Sequence, residues 1–478
     1  MKSILTLLLP LALLSDLSAQ DRTVGVLLNH PDASNGYTLF APFRSTTTWL
    51  IDMEGRIVNE WQSSYRPGNM AYLLENGNLL RAGALGGDPG EFGTAGGAGG
   101  VVQEFDWEGN LLWEYRYADD SLRQHHDVIG LPSGNVLLVA WELVPADRAI
   151  ALGRDPATVP EGGLWVDHLV EVLPILPDSG RIVWEWHALD HLVQEHDAGK
   201  PGYGTIADHP ERIDFNHATG RTPREDWLHI NAVAYNAELD QVVVSVPMFN
   251  EIMVIDHSTT TEEAATGSGG AYGRGGDILY RWGNPAAYGA GGSDDQQLYF
   301  QHNAHWIPEE YPGGGNILLF NNGQGRPDGE YSSVLEIAPP LQPDGTYAHT
   351  PGLPFGPTGP VWTYTAPEPT DLYSATISGA ERMPNSNTLI CAGEAGRFFE
   401  VTPGGRIVWE YICPVTTSGI LAQGDTVAPR SNLVFRALRY APDYSAFTGR
   451  DLAPGEFVET YPSGVMETGN TPERLDIE

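Results

Sequence analysis

Three histidines stand at matching points of one repeated strand phrase: His126 in HDVIGLPSGNVLLVAW (126–141), His229 in HINAVAYNAELDQVVVSV (229–246) and His302 in HNAHWIPEEYPGGGNILLF (302–320). Two further copies, NMAYLLENGNLLRAG (69–83) and SGAERMPNSNTLICAG (378–393), put Asn69 and Ser378 at the same point, and NLVFRALRYAPDY (432–444) adds Arg436. Histidine is 14 of 478 residues, so three in six matched positions is far above chance. Three neutral imidazoles with an open position suit zinc, copper or manganese. The same set can instead form an anion site with a nucleophilic imidazole. Arg436 favours the second chemistry, because a cation opposes a metal ion and attracts an anionic substrate. A single histidine in a strand is more often a satisfied polar residue; convergence on one point is what gives these weight. His125 and His305 read as bystanders, since side chains alternate along a strand and His125 should face away from His126. Asp127 and Asn231 are candidates to orient the histidines.

Those residues converge only if the strands carrying them form a ring. A second phrase, an apolar strand, a tight turn and a strand ending on an aromatic, occurs six times: TWLIDMEGRIVNEW (48–61), VVQEFDWEGNLLWEY (101–115), LVEVLPILPDSGRIVWEW (169–186), 251–282, 333–364 and FFEVTPGGRIVWEY (398–411). With the first phrase ahead of it, each copy makes four short antiparallel strands. Six such units predict an all-β, six-bladed propeller. The first unit opens at GYTLFAP (36–42) without an innermost strand, so the C-terminal strand is expected to fill that place and close the ring. Closure removes two exposed sheet edges. The long insertions 143–165, 188–227 and 257–275 read as loops and lids at the blade tops. Cys391 and Cys413 fall on strands separated by a third, about 10 Å apart at the usual strand spacing, and are expected to be unpaired.

Composition narrows the partners. The formal charge is −36, from 26 basic and 62 acidic residues. A global basic surface for nucleic acid is excluded, and an anionic membrane is disfavoured. A small anion in a cleft is not excluded. Residues 1–19 have the form of a secretory signal: Lys2, an apolar run over 4–14 and small residues at Ser18 and Ala19. The mature chain, 20–478, is expected to be one secreted or periplasmic propeller domain, with blades over about 36–447 and a tail over 448–478. The acidic loops read as solvated surface rather than calcium sites.

Four segments carry a resemblance: LYFQHNAHWIPEEYPGGGNILLFNNGQGRP (298–327), DWLHINAVAY (226–235), GGDILYRWGNP (275–285) and RQHHDVIGLPSGNVLL (123–138). Together they resemble the bacterial arylsulfotransferases, and the likeness extends over roughly 36–447. The resemblance implies a six-bladed propeller with a central site. It also implies ping-pong transfer of a sulfuryl group from a phenolic sulfate to a phenol, with no nucleotide sulfate, cofactor or metal. The motif of the family's sulfated histidine matches His302, and its supporting histidines match His229 and His126. Asn69, Ser378 and Arg326 are the candidate substrate-binding positions, and a homodimer is open. The best-studied branch has an arginine where VVVSVPMFNE (242–251) has Pro247; Arg436 is the candidate to replace that charge. The branch's extra N-terminal β domain has no counterpart in 478 residues. Two other classes stay open: a metal-dependent propeller lyase or hydrolase using the same histidines, and a non-catalytic binding propeller, for which the departure at Pro247 is the motive. A formylglycine sulfatase is disfavoured because neither cysteine lies in a C-x-P-x-R segment. A quinone-dependent dehydrogenase is disfavoured by the lack of its tryptophan-docking repeats and adjacent cysteines.

Overall fold

In VLLVAWELV (136–144) and QVVVSV (241–246), β-branched and apolar residues run without alternation, as strands covered on both faces require. Each lies second in a four-stranded antiparallel sheet, and five such sheets with one of five strands form the ring. The computed structural model describes residues 22–461 except 87–91, 93–95 and 219–223; the secretory-signal segment 1–19 lies outside the described residues.

From the axis outward, blade 1 is Val434–Tyr440, Tyr37–Pro42, Thr47–Ile51 and Ile57–Gln62. Blade 2 is Pro67–Leu73, Leu79–Ala84, Gly100–Phe105 and Leu111–Arg116, and blade 3 is Leu122–Gly130, Val136–Val144, Leu164–Ile175 and Ser179–His187. Blade 4 is Ala232–Asn236, Gln241–Val246, Glu251–Asp256 and Tyr280–Trp282, and blade 5 is His302–Trp306, Ile317–Asn321, Ser333–Ile337 and Trp362–Tyr364. Blade 6 is Gly379–Arg382, Thr388–Ala392, Arg397–Val401 and Ile407–Ile412. The C-terminal strand thus takes the innermost place in blade 1, as the repeat pattern requires. A second closure was not legible: Gly25–Asn29 adds a fifth, outermost strand to blade 6.

The outer hairpins repeat one turn. In DMEGR (52–56), DWEGN (106–110) and TPGGR (402–406), the glycines Gly55, Gly109 and Gly405 have φ of 88°, 84° and 86°, a conformation that costs a side chain but not glycine. Asp52 and Asp106 accept the backbone N–H of Arg56 and Asn110 at 2.8 and 2.7 Å, which fixes the first two of these turns.

Indole N–H groups join the blades in one sense round the ring. Trp61 donates to the carbonyl of Asp106 at 2.8 Å, Trp113 to Ser179 at 2.7 Å and Trp186 to Gly276 at 2.8 Å. Trp282 donates to Pro357 at 2.7 Å, Trp362 to Pro403 at 3.2 Å, and Trp409 to Met53 at 2.9 Å, back on blade 1. Buried apolar clusters fill each blade interface, for example Phe40, Phe398 and Tyr411 between blades 1 and 6. Cys391 and Cys413 are unpaired and buried there; burial pushes the Cys413 thiol up to about 12.

Topology corrects one loop assignment. The insertion 143–165 and the described residues of 188–227 lie on the face where the inner strands begin, but 257–275 joins the outer two strands of blade 4 and lies on the opposite face. There it packs on blade 3, where Trp184 donates to the Thr259 hydroxyl at 3.0 Å.

The seam between blades 6 and 1 is held by a buried ion pair. Glu400 accepts from Arg439 of the closing strand at 2.6 Å, from the Ser34 N–H at 2.7 Å and from the Asn387 amide at 2.6 Å. Glu400 is fully buried and Arg439 nearly so. Glu400→Ala strands the Arg439 charge and should cost about 3–5 kcal/mol, read as a fall in the denaturant midpoint. A loss below about 1 kcal/mol, the size of an exposed pair, would contradict the seam's role.

Candidate functional site: an axial histidine cluster

Four of the six inner strands are broken where the matched residue lies, and in blades 4 and 6 the matched His229 and Ser378 lie just ahead of a strand that pairs without a shift. The pairing register jumps between Pro67 and Ala71, between Gln124 and Val128, between His302 and His305, and between Val434 and Ala437. Such bulges re-aim a side chain at the cost of local pairing. Asn69, His126, His229 and Ser378 have φ of 94°, 50°, 57° and 86°. This region is sparsely occupied by non-glycine residues, and strain there collects at functional sites. In blade 5 the positive φ falls one residue later, on Asn303 at 57°.

The bulges at His126 and His302 and the positive φ at His229 bring the three histidines to the axis, and all three are buried. The rings of His126 and His229 meet edge to face at 4.4 Å between centroids. Phe435 of the closing strand lies 6.0 Å from the ring of His126 and 6.2 Å from that of His302. Phe300 lies 5.9 Å from His302 and 6.2 Å from His229.

All three rings are tethered through Nδ1. His302 Nδ1 lies 2.7 Å from the Asn322 side-chain oxygen. The Asn322 amide nitrogen donates to the carbonyls of Ser374 at 2.7 Å and Ile377 at 2.9 Å, which fixes its oxygen as the acceptor. His302 must therefore carry its proton on Nδ1. His229 Nδ1 lies 2.5 Å from Asp226 Oδ2, and His126 Nδ1 lies 2.8 Å from His125 Nδ1. His126 is packed against Gly97, where an added Cβ would fall 2.2 Å from its Nε2, so the tethers leave the Nε2 atoms of His229 and His302 as the candidates to meet a ligand.

Burial, with His229 and Arg436 adding to it, holds the His302 imidazole down at about 3 against the Asn322 hydrogen bond. Burial, then His229, keeps His126 well below the ordinary histidine value. Desolvation pushes the Asp226 carboxyl up, but His229 and Arg224 outweigh it and hold it below the ordinary value. His302 is thus a neutral base with a bare Nε2 across the usual pH range.

Several sequence assignments change. His125 does not face away from His126: the bulge and the positive φ at His126 break strand alternation and bring the two rings to the same side. Asp127 and Asn231 do not orient histidines; they hold Arg436, whose guanidinium donates to Asp127 at 2.9 Å and to the Asn231 carbonyl at 2.9 Å. Arg436 also lines a cavity of about 730 Å³ at the opposite mouth of the channel, with Tyr72, His305 and Tyr440. The Ser378 hydroxyl is buried, donating to Ser374 at 2.9 Å and accepting from the Gly393 N–H at 3.0 Å. Arg326 lies over the Tyr331 ring at 4.2 Å and donates to Ser333 at 3.2 Å. Asn69 is buried at its matched place, with no side-chain hydrogen bond among the described residues.

Sequence reasoning did not single out Asp226, Asn322, Asp167 or Phe435. The first two lie inside the quoted segments, three residues before His229 and twenty after His302, so the signal was spacing from a histidine. Among the described residues, the one set of three histidine, cysteine or acidic side chains with donor atoms within 4.8 Å of one another is Glu142, His168 and His187 on blade 3. The axial histidines form no such chelating set.

By fold and site this is a propeller built around tethered axial imidazoles. Residues 42–337 match the family model described as Arylsulfotransferase (ASST), and the chain belongs to that family. Arylsulfate sulfotransferase AssT of Escherichia coli O6:H1 (strain CFT073) is 24% identical over 419 residues, covering 80% of this chain and 62% of that one. The protein of the same name from Lelliottia amnigena is 23% identical, with the same coverage of 80% and 62%. The chain therefore spans less than two thirds of the length of these relatives. Among solved structures, a Bacteroides caccae protein of unknown function aligns with a TM-score of 0.44 and 10% identity, covering 85% of this chain and 99% of that chain. A streptogramin B lyase aligns at 0.37 and 12%, covering 89% and 96%.

At pH 5 an ordinary histidine, with a pKa of about 6.5, is mostly protonated. His302 should remain neutral there with its proton on Nδ1, read from ¹⁵N shifts of histidine-labelled protein. Asn322→Asp should raise its pKa by placing a carboxylate on Nδ1. A wild-type His302 that titrates at the ordinary value would refute this electrostatic reading.

Proposed function

We propose that the protein is an aryl-sulfate sulfotransferase that moves a sulfuryl group from a phenolic sulfate ester to a phenol through a sulfated His302, without a nucleotide sulfate donor. The observation that carries the nucleophile is the Asn322 tether, which puts the His302 proton on Nδ1 and leaves a lone pair on Nε2. Family membership supports the reaction class.

In the first half-reaction His302 Nε2 attacks sulfur, the N–S bond forms and the ester S–O bond breaks, releasing a phenolate. In the second, the acceptor's phenolate oxygen attacks sulfur and the N–S bond breaks. His229, paired with the buried Asp226 carboxylate, is placed to hold sulfonate oxygens from Nε2 and to stabilise charge moving to the leaving oxygen. Phe300 and Phe435 offer apolar faces for the aryl ring. Arg436 has spent its terminal nitrogens on Asp127 and Asn231. Its part is a positive field that keeps His302 neutral, rather than a clamp on the sulfonate. The metal-dependent reading fits less well, because the axial Nε2 atoms do not form a chelating set. The composition of residues 1–19 supports export to the periplasm or beyond.

The test is 4-nitrophenyl sulfate with a phenol acceptor. Nitrophenolate release should depend on the acceptor, and His302→Ala should lower it by about 10⁴-fold or more, as loss of a covalent nucleophile does. Undiminished release in that variant would remove His302 as the nucleophile. Release that needs no acceptor would indicate a hydrolase.

A further inference from the structure

Blade 3 carries a second group of convergent donors, on its outer strands. Ala140 of the second strand pairs with His168 of the third, and His168 pairs with His187 of the fourth. Glu142 lies two residues beyond Ala140. Side chains two apart share a face of the sheet, so Glu142, His168 and His187 project from one side of the blade. That side meets Tyr117, just past the outer strand of blade 2.

Each of the three residues offers one donor atom, and the three atoms lie within 4.8 Å of one another. His187 Nδ1 and Glu142 Oε1 are 2.9 Å apart. The rings of His168 and His187 are stacked, with centroids 5.0 Å apart and planes 1° from parallel. His168 is completely buried, and its Nε2 lies 2.9 Å from the Tyr117 hydroxyl. Its Nδ1 is buried with no hydrogen bond among the described residues. A buried ring nitrogen without a partner is unfavourable, and this one belongs to the middle strand of the three. The side chains of Glu142 and His187 are 16% and 30% exposed, so the cluster opens to solvent on one side.

We propose that Glu142, His168 and His187 form a binding site for one divalent transition-metal ion of the zinc type. Two imidazoles and a carboxylate suit zinc, with bonds of about 2.0–2.2 Å, whereas magnesium and calcium take sets of oxygens. A tetrahedron of that size sets its donors about 3.4 Å apart. The His187–Glu142 pair already lies inside this distance, and the other separations need to close by about 1.4 Å at most. The ion takes the place of the proton between His187 Nδ1 and Glu142 Oε1, and that proton leaves to solvent. His168 supplies Nδ1, its nitrogen without a partner. Tyr117 on Nε2 is then the outer hydrogen bond that fixes the ring, as metal-bound histidines commonly have. Glu185 lies 3.9 Å from His187 Nε2 and Asp190 adds a further negative charge, against Arg148 beside Glu142. The local field thus favours a cation. Three protein ligands leave a fourth position on the open side.

The ion sits at the roots of both insertions on the face where the inner strands begin. Glu142 directly precedes 143–165, His168 follows shortly after it, and His187 directly precedes 188–227. Metal binding ties three strands together where these loops leave and return. The ion takes no part in the transfer reaction, and the test is read without turnover.

The experiment is zinc binding by the full chain after its metal has been stripped with a chelator. Calorimetry should show one tightly bound zinc ion per chain. Zinc should also raise the melting temperature, since an ion that binds only the folded chain stabilises it. Glu142→Gln and His187→Ala should each weaken binding about 100-fold or more, and Tyr117→Phe about 10-fold. Glu142 and His187 lie on the open side, so these variants decide the matter even where His168→Gln fails to fold. His302→Ala, at the axis, and His257→Asn, which removes a histidine held between Glu171 and Asp240, should bind zinc as wild type does. Zinc bound with undiminished affinity by Glu142→Gln and His187→Ala, or lost in His302→Ala, would place the ion elsewhere and overturn the site. A stripped wild type that binds no zinc would overturn it as well.

Discussion

Everything at the axis depends on closing the ring. The innermost strand of blade 1 comes from the end of the chain and the outermost strand of blade 6 from its beginning. The Arg439–Glu400 pair ties the first of these to blade 6 and holds Ser34, in the segment between Gly25–Asn29 and blade 1. Phe435 and Arg436 reach the histidines only because this strand is seated. Two charges are removed from water to hold it, a costly arrangement that is tolerable here because Glu400 also satisfies Ser34 and Asn387. The same residues that seal the sheet edges therefore also complete the site.

The axis is built on a different economy from the surface. The chain carries 62 acidic residues, yet the space around His302 is governed by burial and by nearby positive groups. Desolvation keeps His302 and His126 neutral, and a neutral imidazole is a nucleophile and a base. Tethering every Nδ1 gives each ring one orientation, and the three differ by partner: an amide for His302, a carboxylate for His229 and a second imidazole for His126.

The repeat phrases made the fold legible. Strand, turn and aromatic recurred six times, and the missing first strand in 36–42 pointed to the C-terminal closure. Gly25–Asn29 was missed because a lone five-residue strand outside the repeat has no phrase to match. The axial residues were legible from their matched places, but their partners were not. Period-two alternation placed His125 away from His126, and the bulge between Gln124 and Val128 cancels that alternation. Asp127 and Asn231 were assigned to histidines by nearness in sequence, whereas the closing strand, about 200 or 300 residues away in the chain, brings Arg436 between them. Contacts of that range leave no local signal.

The six indole hydrogen bonds run one way round, each blade giving a donor to the next and a carbonyl to the one before. A single blade thus holds both halves of the joint, a peg and a socket. Identical pegs and sockets can assemble head to tail from separate copies, and only the turn per joint decides when the circle shuts. The ring can accordingly descend from one duplicated blade, with the histidines, the insertions and the closing strand as later differences laid on a common hinge.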